Sequence, residues 1–157
     1  MLPRDFKVRY GSDRLRDLRR EMAKLNREEF PNAGAVLLRV FFELAVLDYL
    51  ERTGQLPKIV TRIESKTKGR LPFGTPQLKQ LVPDIIRIAK RKLSLAVAQK
   101  VEKAITYNPS APFTISELHG FVHQDDFPSA RDILQFWKRT EPLFRLMLEE
   151  EHEGAKE

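Results

Sequence analysis

Two of the chain's three histidines stand four residues apart in the stretch Ser116-Glu117-Leu118-His119-Gly120-Phe121-Val122-His123-Gln124-Asp125-Asp126-Phe127-Pro128. On a helix, His119 and His123 would share one face, and histidine is the side chain whose ordinary pKa lies near neutrality, able to act as acid, base or metal ligand. A zinc site needs a third protein ligand and a supporting carboxylate, and no glutamate stands between the two histidines as in zinc proteases. The reading is therefore no metal and no cofactor. His123 is expected to anchor the turn into the last helix, its ring bonded to backbone or to a buried carboxylate such as Glu43.

Arg39 and Glu43 lie one helical turn apart inside the most apolar segment of the chain. If both face the core they must be paired, because an isolated buried charge is very costly. Arg39, Glu43 and His123 are thus expected as a structural polar cluster that ties the second helix to its neighbours. The other signatures of catalysis are missing. The seven glycines are scattered rather than gathered in a phosphate-binding loop, and no serine or threonine sits in a nucleophile elbow. Phe136 and Trp137 stand beside Lys138 and Arg139, a pattern that stacks on bases when exposed, but the helical spacing favours Trp137 in the core.

Those residues need a frame, and 157 residues are enough for one domain with one core, without disulfides or metals. There is no cysteine, so neither a disulfide framework nor a thiolate nucleophile is available. The longest apolar run, 33–50, is interrupted by Arg39, Glu43 and Asp48, and the N-terminus lacks the apolar run of a secretory signal. A cytoplasmic protein without membrane contact is expected. The net charge of +6 is unevenly spread. Between Lys58 and Lys103 there are twelve Lys and Arg against Glu64, Asp84 and Glu102, whereas 141–157 is acidic. A basic segment of this kind can lie along phosphates, and Lys66, Lys68, Arg70, Lys79, Arg87, Lys90, Arg91 and Lys92 are its candidate contacts.

Helical spacing recurs along the chain, with no strand alternation and no internal repeat. Ser12 or Asp13 caps a first helix carrying Leu15, Leu18, Met22 and Leu25, which stops near Phe30-Pro31. Asn32 caps a second, running from about Ala33 to about Thr53 and ended by Gly54, with Val36, Leu37, Val40, Phe41, Leu44, Val46, Leu47 and Leu50 nearly encircling it. Residues 58–67 read as a short helix. After the turn-rich 69–76, Thr75 and Pro76 open a third long helix that Pro83 should kink or split. The next, about 92–105, turns Leu93, Leu95, Val97, Val101 and Ile105 inward. Thr114 caps a short helix, and Ser129 caps the last one, kinked at Pro142. The result is an all-α single bundle of five to six helices over residues 12–150, with flexible ends at 1–11 and 151–157.

The central segment Asn32-Ala33-Gly34-Ala35-Val36-Leu37-Leu38-Arg39-Val40-Phe41-Phe42-Glu43-Leu44-Ala45, the basic middle, Glu117-Leu118-His119-Gly120-Phe121-Val122-His123 and a last helix with Trp137 and Glu141-Pro142-Leu143-Phe144 together carry a resemblance. The chain resembles the all-α C-terminal domains appended to ParB-like, DNA-directed proteins of prokaryotic defence and mobile elements, domains similar to the HEPN superfamily of helical bundles. In active HEPN ribonucleases an arginine and a histidine, paired across a dimer, cut RNA using the ribose hydroxyl. The resemblance makes His123 the histidine, but puts Leu118 at the arginine position and His119 at the polar one. Leucine cannot stabilise charge on a scissile phosphate.

The resemblance therefore implies a non-catalytic module for antiviral defence or another DNA-directed system, forming a homodimer or binding a partner protein and contacting DNA or RNA. Two other readings stay open. One is a metal-independent ribonuclease using His123, His119, Arg39 and Glu43, with Arg39 replacing the missing arginine. The other is a protein scaffold whose basic face has no nucleic-acid partner.

Overall fold

A computed structural model of the chain describes residues 1–106 and 129–152. The described residues form helices α1 (Asp13–Lys24), α2 (Pro31–Arg52), α3 (Leu56–Thr67), α4 (Leu78–Lys92), α5 (Leu95–Ile105) and α6 (Ala130–Glu149), with a 3-10 turn at Pro72–Gly74. The protein is an all-α bundle, and no strand occurs among the described residues. Helix α2 is its centre, packed against α1, α3 and α6; α6 leans in turn on α5, and α5 on α4. The short helix expected at Thr114 lies outside the described residues.

The ends of the helices follow local chemistry. Ser12 Oγ accepts from the Leu15 N–H at 3.4 Å to start α1. At α6 the exchange is reciprocal: Ser129 Oγ accepts from the Asp132 N–H (3.2 Å), and Asp132 Oδ2 accepts from the Ser129 N–H (3.0 Å). Gly54, at φ +66, closes α2. The Gln55 N–H reaches the Leu50 carbonyl (2.8 Å) and the Gly54 N–H that of Glu51 (3.0 Å), which satisfies two carbonyls the helix end leaves open.

Three boundaries differ from expectation. Helix α1 ends at Lys24, not near Phe30, because Asn26 Oδ1 takes the Glu28 N–H in a local turn that competes with the helix. Helix α2 starts at Pro31 rather than after Asn32, since proline at the first helical position needs no N–H partner. Helix α4 begins after Gln77, whose N–H donates to Gln80 Oε1 (2.8 Å), so Thr75 and Pro76 lie before it; it then runs unbroken through Pro83.

The core is aromatic. Phe41 and Phe144 stack at 5.3 Å, Trp137 and Phe144 at 5.0 Å, and Phe42 meets Phe136 edge-on at 5.9 Å. Trp137 is buried, so it packs rather than presents a stacking face. Gly34 lets α6 approach α2, because a Cβ there would sit 3.3 Å from Ile133 Cδ1. Burial on α2 is one-sided. Leu38, Phe41, Phe42, Ala45, Val46, Tyr49 and Leu50 are inside, but Val36 is exposed and Leu37, Val40, Leu44 and Leu47 are half-buried. Leu95, expected inward, is 71% exposed, because it lies off the face of α5 that carries the buried Ala98, Val101, Ala104 and Ile105.

Residues 1–11 are a packed strap rather than a loose end. Phe6 is fully buried, edge-on to Trp137 at 5.0 Å, with the Arg145 guanidinium 5.8 Å over its ring. Arg19 Nε donates to the Phe6 carbonyl (3.0 Å), and the Arg9 and Tyr10 N–H groups both reach the Leu148 carbonyl at 2.9 Å. Arg145 binds Asp5 (2.6 Å), Glu141 (2.7 Å) and Glu149 (3.0 Å), joining the strap to α6. His152, expected to fray, packs its ring edge-on against Tyr49 at 4.9 Å.

Candidate nucleic-acid interface

Helix α3 divides its faces cleanly. Ile59 and Ile63 are buried, while Lys58, Arg62 and Lys66, spaced by four, run along the flank beside them. Helix α4 does the same: Leu78, Leu81, Ile85, Ile88 and Ala89 face the bundle, and Lys79, Arg87, Lys90 and Arg91 face outward. One residue breaks the pattern. Asp84 lies on the apolar face of α4 and is 0% exposed.

That carboxylate joins the two stripes. Arg62 grips it with both terminal nitrogens, NH1 to Oδ1 at 3.0 Å and NH2 to Oδ2 at 2.6 Å, and Arg87 NH2 donates to Oδ1 at 2.7 Å. The side-chain hydrogen bond to Asp84 raises the Arg62 pKa, outweighing the smaller opposing effect of burial. The triad carries one net positive charge, and both arginines remain partly open to solvent. Asp84 thereby links one cation of the α3 row, Arg62, to one of the α4 row, Arg87.

All eight residues expected to contact nucleic acid are exposed. Two are engaged: Arg87 with Asp84, and Lys90 with Glu102 of α5 at 2.9 Å. The other six, Lys66, Lys68, Arg70, Lys79, Arg91 and Lys92, make no ion pair among the described residues. Lys68 ends α3 in the left-handed region at φ +52 and passes the chain through Gly69 to Arg70. Arg62 and Asp84 were missing from the sequence-based set. Asp84 did carry a signal, as one of only three acids in the basic half and on the apolar side of a helix.

The expected polar cluster is not brought together. Arg39 and Glu43 are both half-buried on α2, and no ion pair joins them among the described residues. Each keeps access to water and has no need of a partner. His119 and His123, with Leu118, lie outside the described residues. The polar contacts that do tie α2 to its surroundings lie further along it, around the Asp48–Arg52 pair within the helix. Asp48 accepts from Arg52 Nε (2.6 Å) and from the Ser12 N–H (3.0 Å), and Arg52 NH2 reaches the Met147 carbonyl (2.7 Å). Among the described residues no group of three His, Asp or Glu side chains is placed to hold a metal, and no helix is long and apolar enough to cross a membrane.

Comparison with protein-family models, with curated proteins and with solved structures returns no match to this chain.

Proposed function

We propose that the chain is a non-catalytic helical interaction module that holds the phosphodiester backbone of nucleic acid on the α3–α4 surface, within a HEPN-like, DNA-directed or defence system in which it dimerises or meets a partner protein. One observation carries the reading: the basic half of the sequence turns its cations outward, with six of the eight named side chains unpaired among the described residues. Surface lysines whose charge is not internally neutralised are what a polyanion displaces counterions to reach. The all-helical architecture agrees with the HEPN-like resemblance at the level of fold class.

The test is fluorescence anisotropy of the purified chain with a labelled RNA and a duplex DNA of the same sequence, titrated at several salt concentrations. Contact with about five phosphates predicts a log–log salt slope near −4 to −5, a loss of about 10²–10³-fold between 50 and 200 mM salt. Replacing Lys66, Lys68 and Arg70 together by Gln should weaken binding and flatten that slope by about three. Absence of binding to either probe at low salt overturns the nucleic-acid reading. RNA cleavage by the parent that disappears in His123→Ala overturns the non-catalytic one.

A further inference from the structure

We infer that Arg62 and Arg87 form a built phosphodiester site, a pair of guanidinium groups held side by side by the buried carboxylate of Asp84. This rests on the proposed function and names the anchor within that surface. The geometry has three parts. Arg62 spends only one hydrogen on each terminal nitrogen, and Arg87 one hydrogen on NH2, in their bonds to Asp84. A guanidinium carries five N–H donors in a fixed fork, so Arg62 keeps three and Arg87 four without a partner among the described residues. Both side chains are partly exposed, at 38% and 43%, so a ligand can reach them from solvent.

The second part is proximity. Arg62 NH1 and Arg87 NH2 bond the same oxygen, Oδ1 of Asp84, which makes the two guanidinium groups immediate neighbours. Two such cations repel each other, and without the carboxylate between them long flexible side chains would spread apart. The third part is that the fold itself does not call for the acid. Position 84 lies among Leu81, Ile85 and Ile88 on the buried face of α4, where an apolar residue is often as stabilising as a buried ion triad. What an apolar residue could not do is bring planar, bidentate donors from α3 and α4 to one point. Phosphate oxygens, like the carboxylate of Asp84, are acceptors whose geometry such forks match.

Asp84 is then a positioning residue, and its removal separates a built site from a diffuse patch. Asp84→Asn keeps the side-chain volume and makes the surface more positive by one charge. A diffuse patch binds the labelled RNA or duplex DNA at least as tightly after that change, whereas the built site binds more weakly because its forks lose their tether. Arg87→Gln leaves Asp84 with its two bonds from Arg62, and so is the variant that keeps the buried acid paired. It should weaken binding about tenfold or more, against about twofold to threefold for Lys68→Gln on the same surface, and Arg87→Lys should restore only part of the loss because the fork is gone.

Anisotropy at about 100 mM salt reads all four variants, with circular dichroism confirming that each is folded at the assay temperature. Should Asp84→Asn unfold, the ratio of Arg87→Gln to Lys68→Gln decides. Equal losses for those two, or a folded Asp84→Asn that binds as tightly as the parent, overturn the built site and leave the basic surface standing. A parent that binds neither probe at low salt removes both.

Discussion

Replacing Phe6 by alanine tests whether the N-terminal strap is part of the folded core. The ring is fully buried and lies 5.0 Å from Trp137 and 6.3 Å from both Phe41 and Phe144, so its removal opens a cavity bounded by three aromatic side chains. Truncating a buried phenylalanine costs about 3–5 kcal/mol. In a domain of this size each kcal/mol lowers Tm by about 2–4 °C, so the melting point should fall by about 6–20 °C. That is a large share of a typical stability of about 5–15 kcal/mol. Phe6→Leu, which keeps most of the volume, should fall about a third as far. Phe30→Ala is the control, because Phe30 is 49% exposed and its loss should change stability by about 0.5 kcal/mol or less. Thermal melts followed by far-ultraviolet circular dichroism read all three. A Phe6→Ala shift no larger than that of Phe30→Ala would show that the strap does not share the core.

The same strap predicts an acid limb. The hydrogen bond from Arg145 holds the Asp5 carboxyl below its ordinary 3.8, so its contribution is present above about pH 4 and is lost as pH falls through the lowered folded value. In melts across pH 2–6, Asp5→Asn should be less stable than the parent near pH 6 and converge with it at the acid end; parallel curves would refute the pairing. Ser129→Ala removes one half of the reciprocal cap of α6 and should cost about 0.5–2 kcal/mol in urea denaturation, with an unchanged midpoint refuting the cap.

What the sequence made legible was local. Ser12, Ser129 and Gly54 mark helix ends through atoms within a few residues of themselves, and their signals held. The periodicity of α6 placed Ile133, Trp137, Leu143 and Phe144 inside, because that helix has neighbours along its whole apolar side. Phe6 was not legible. It sits in the charged run Arg4-Asp5-Phe6-Lys7 with no period to read, and the Asp5–Arg145 bond that fixes the strap spans 140 residues. Val36 and Leu95 failed for the opposite reason. Both occupy apolar helical positions, but a period says which residues share a face and not whether another element covers it. Arg39 and Glu43 misled for the same cause, since an apolar helix need not bury every side, and a half-buried charge is satisfied by water.

The arrangement of these parts bears on how surface variants can be interpreted. Among the described residues, the largest fully buried side chains come mostly from the strap, α1, α2 and α6, with Leu81 and Ile85 contributed by the basic half. The outward cations of α3 and α4 thus stand on helices whose inward faces are held independently of them, by Ile59 and Ile63 on one and Leu81, Ile85 and Ile88 on the other. Substituting Lys66, Lys68, Arg70, Lys79, Arg91 or Lys92 changes the surface potential with little effect on folding, because exposed unpaired charges contribute about 0.5 kcal/mol or less each. Asp84 is the one exception, the point where the basic surface reaches into the core. Stability and binding should therefore move separately for the six outward cations and together only at the Arg62–Asp84–Arg87 contact, a pattern that a purely structural ion cluster beneath an inert surface would not produce.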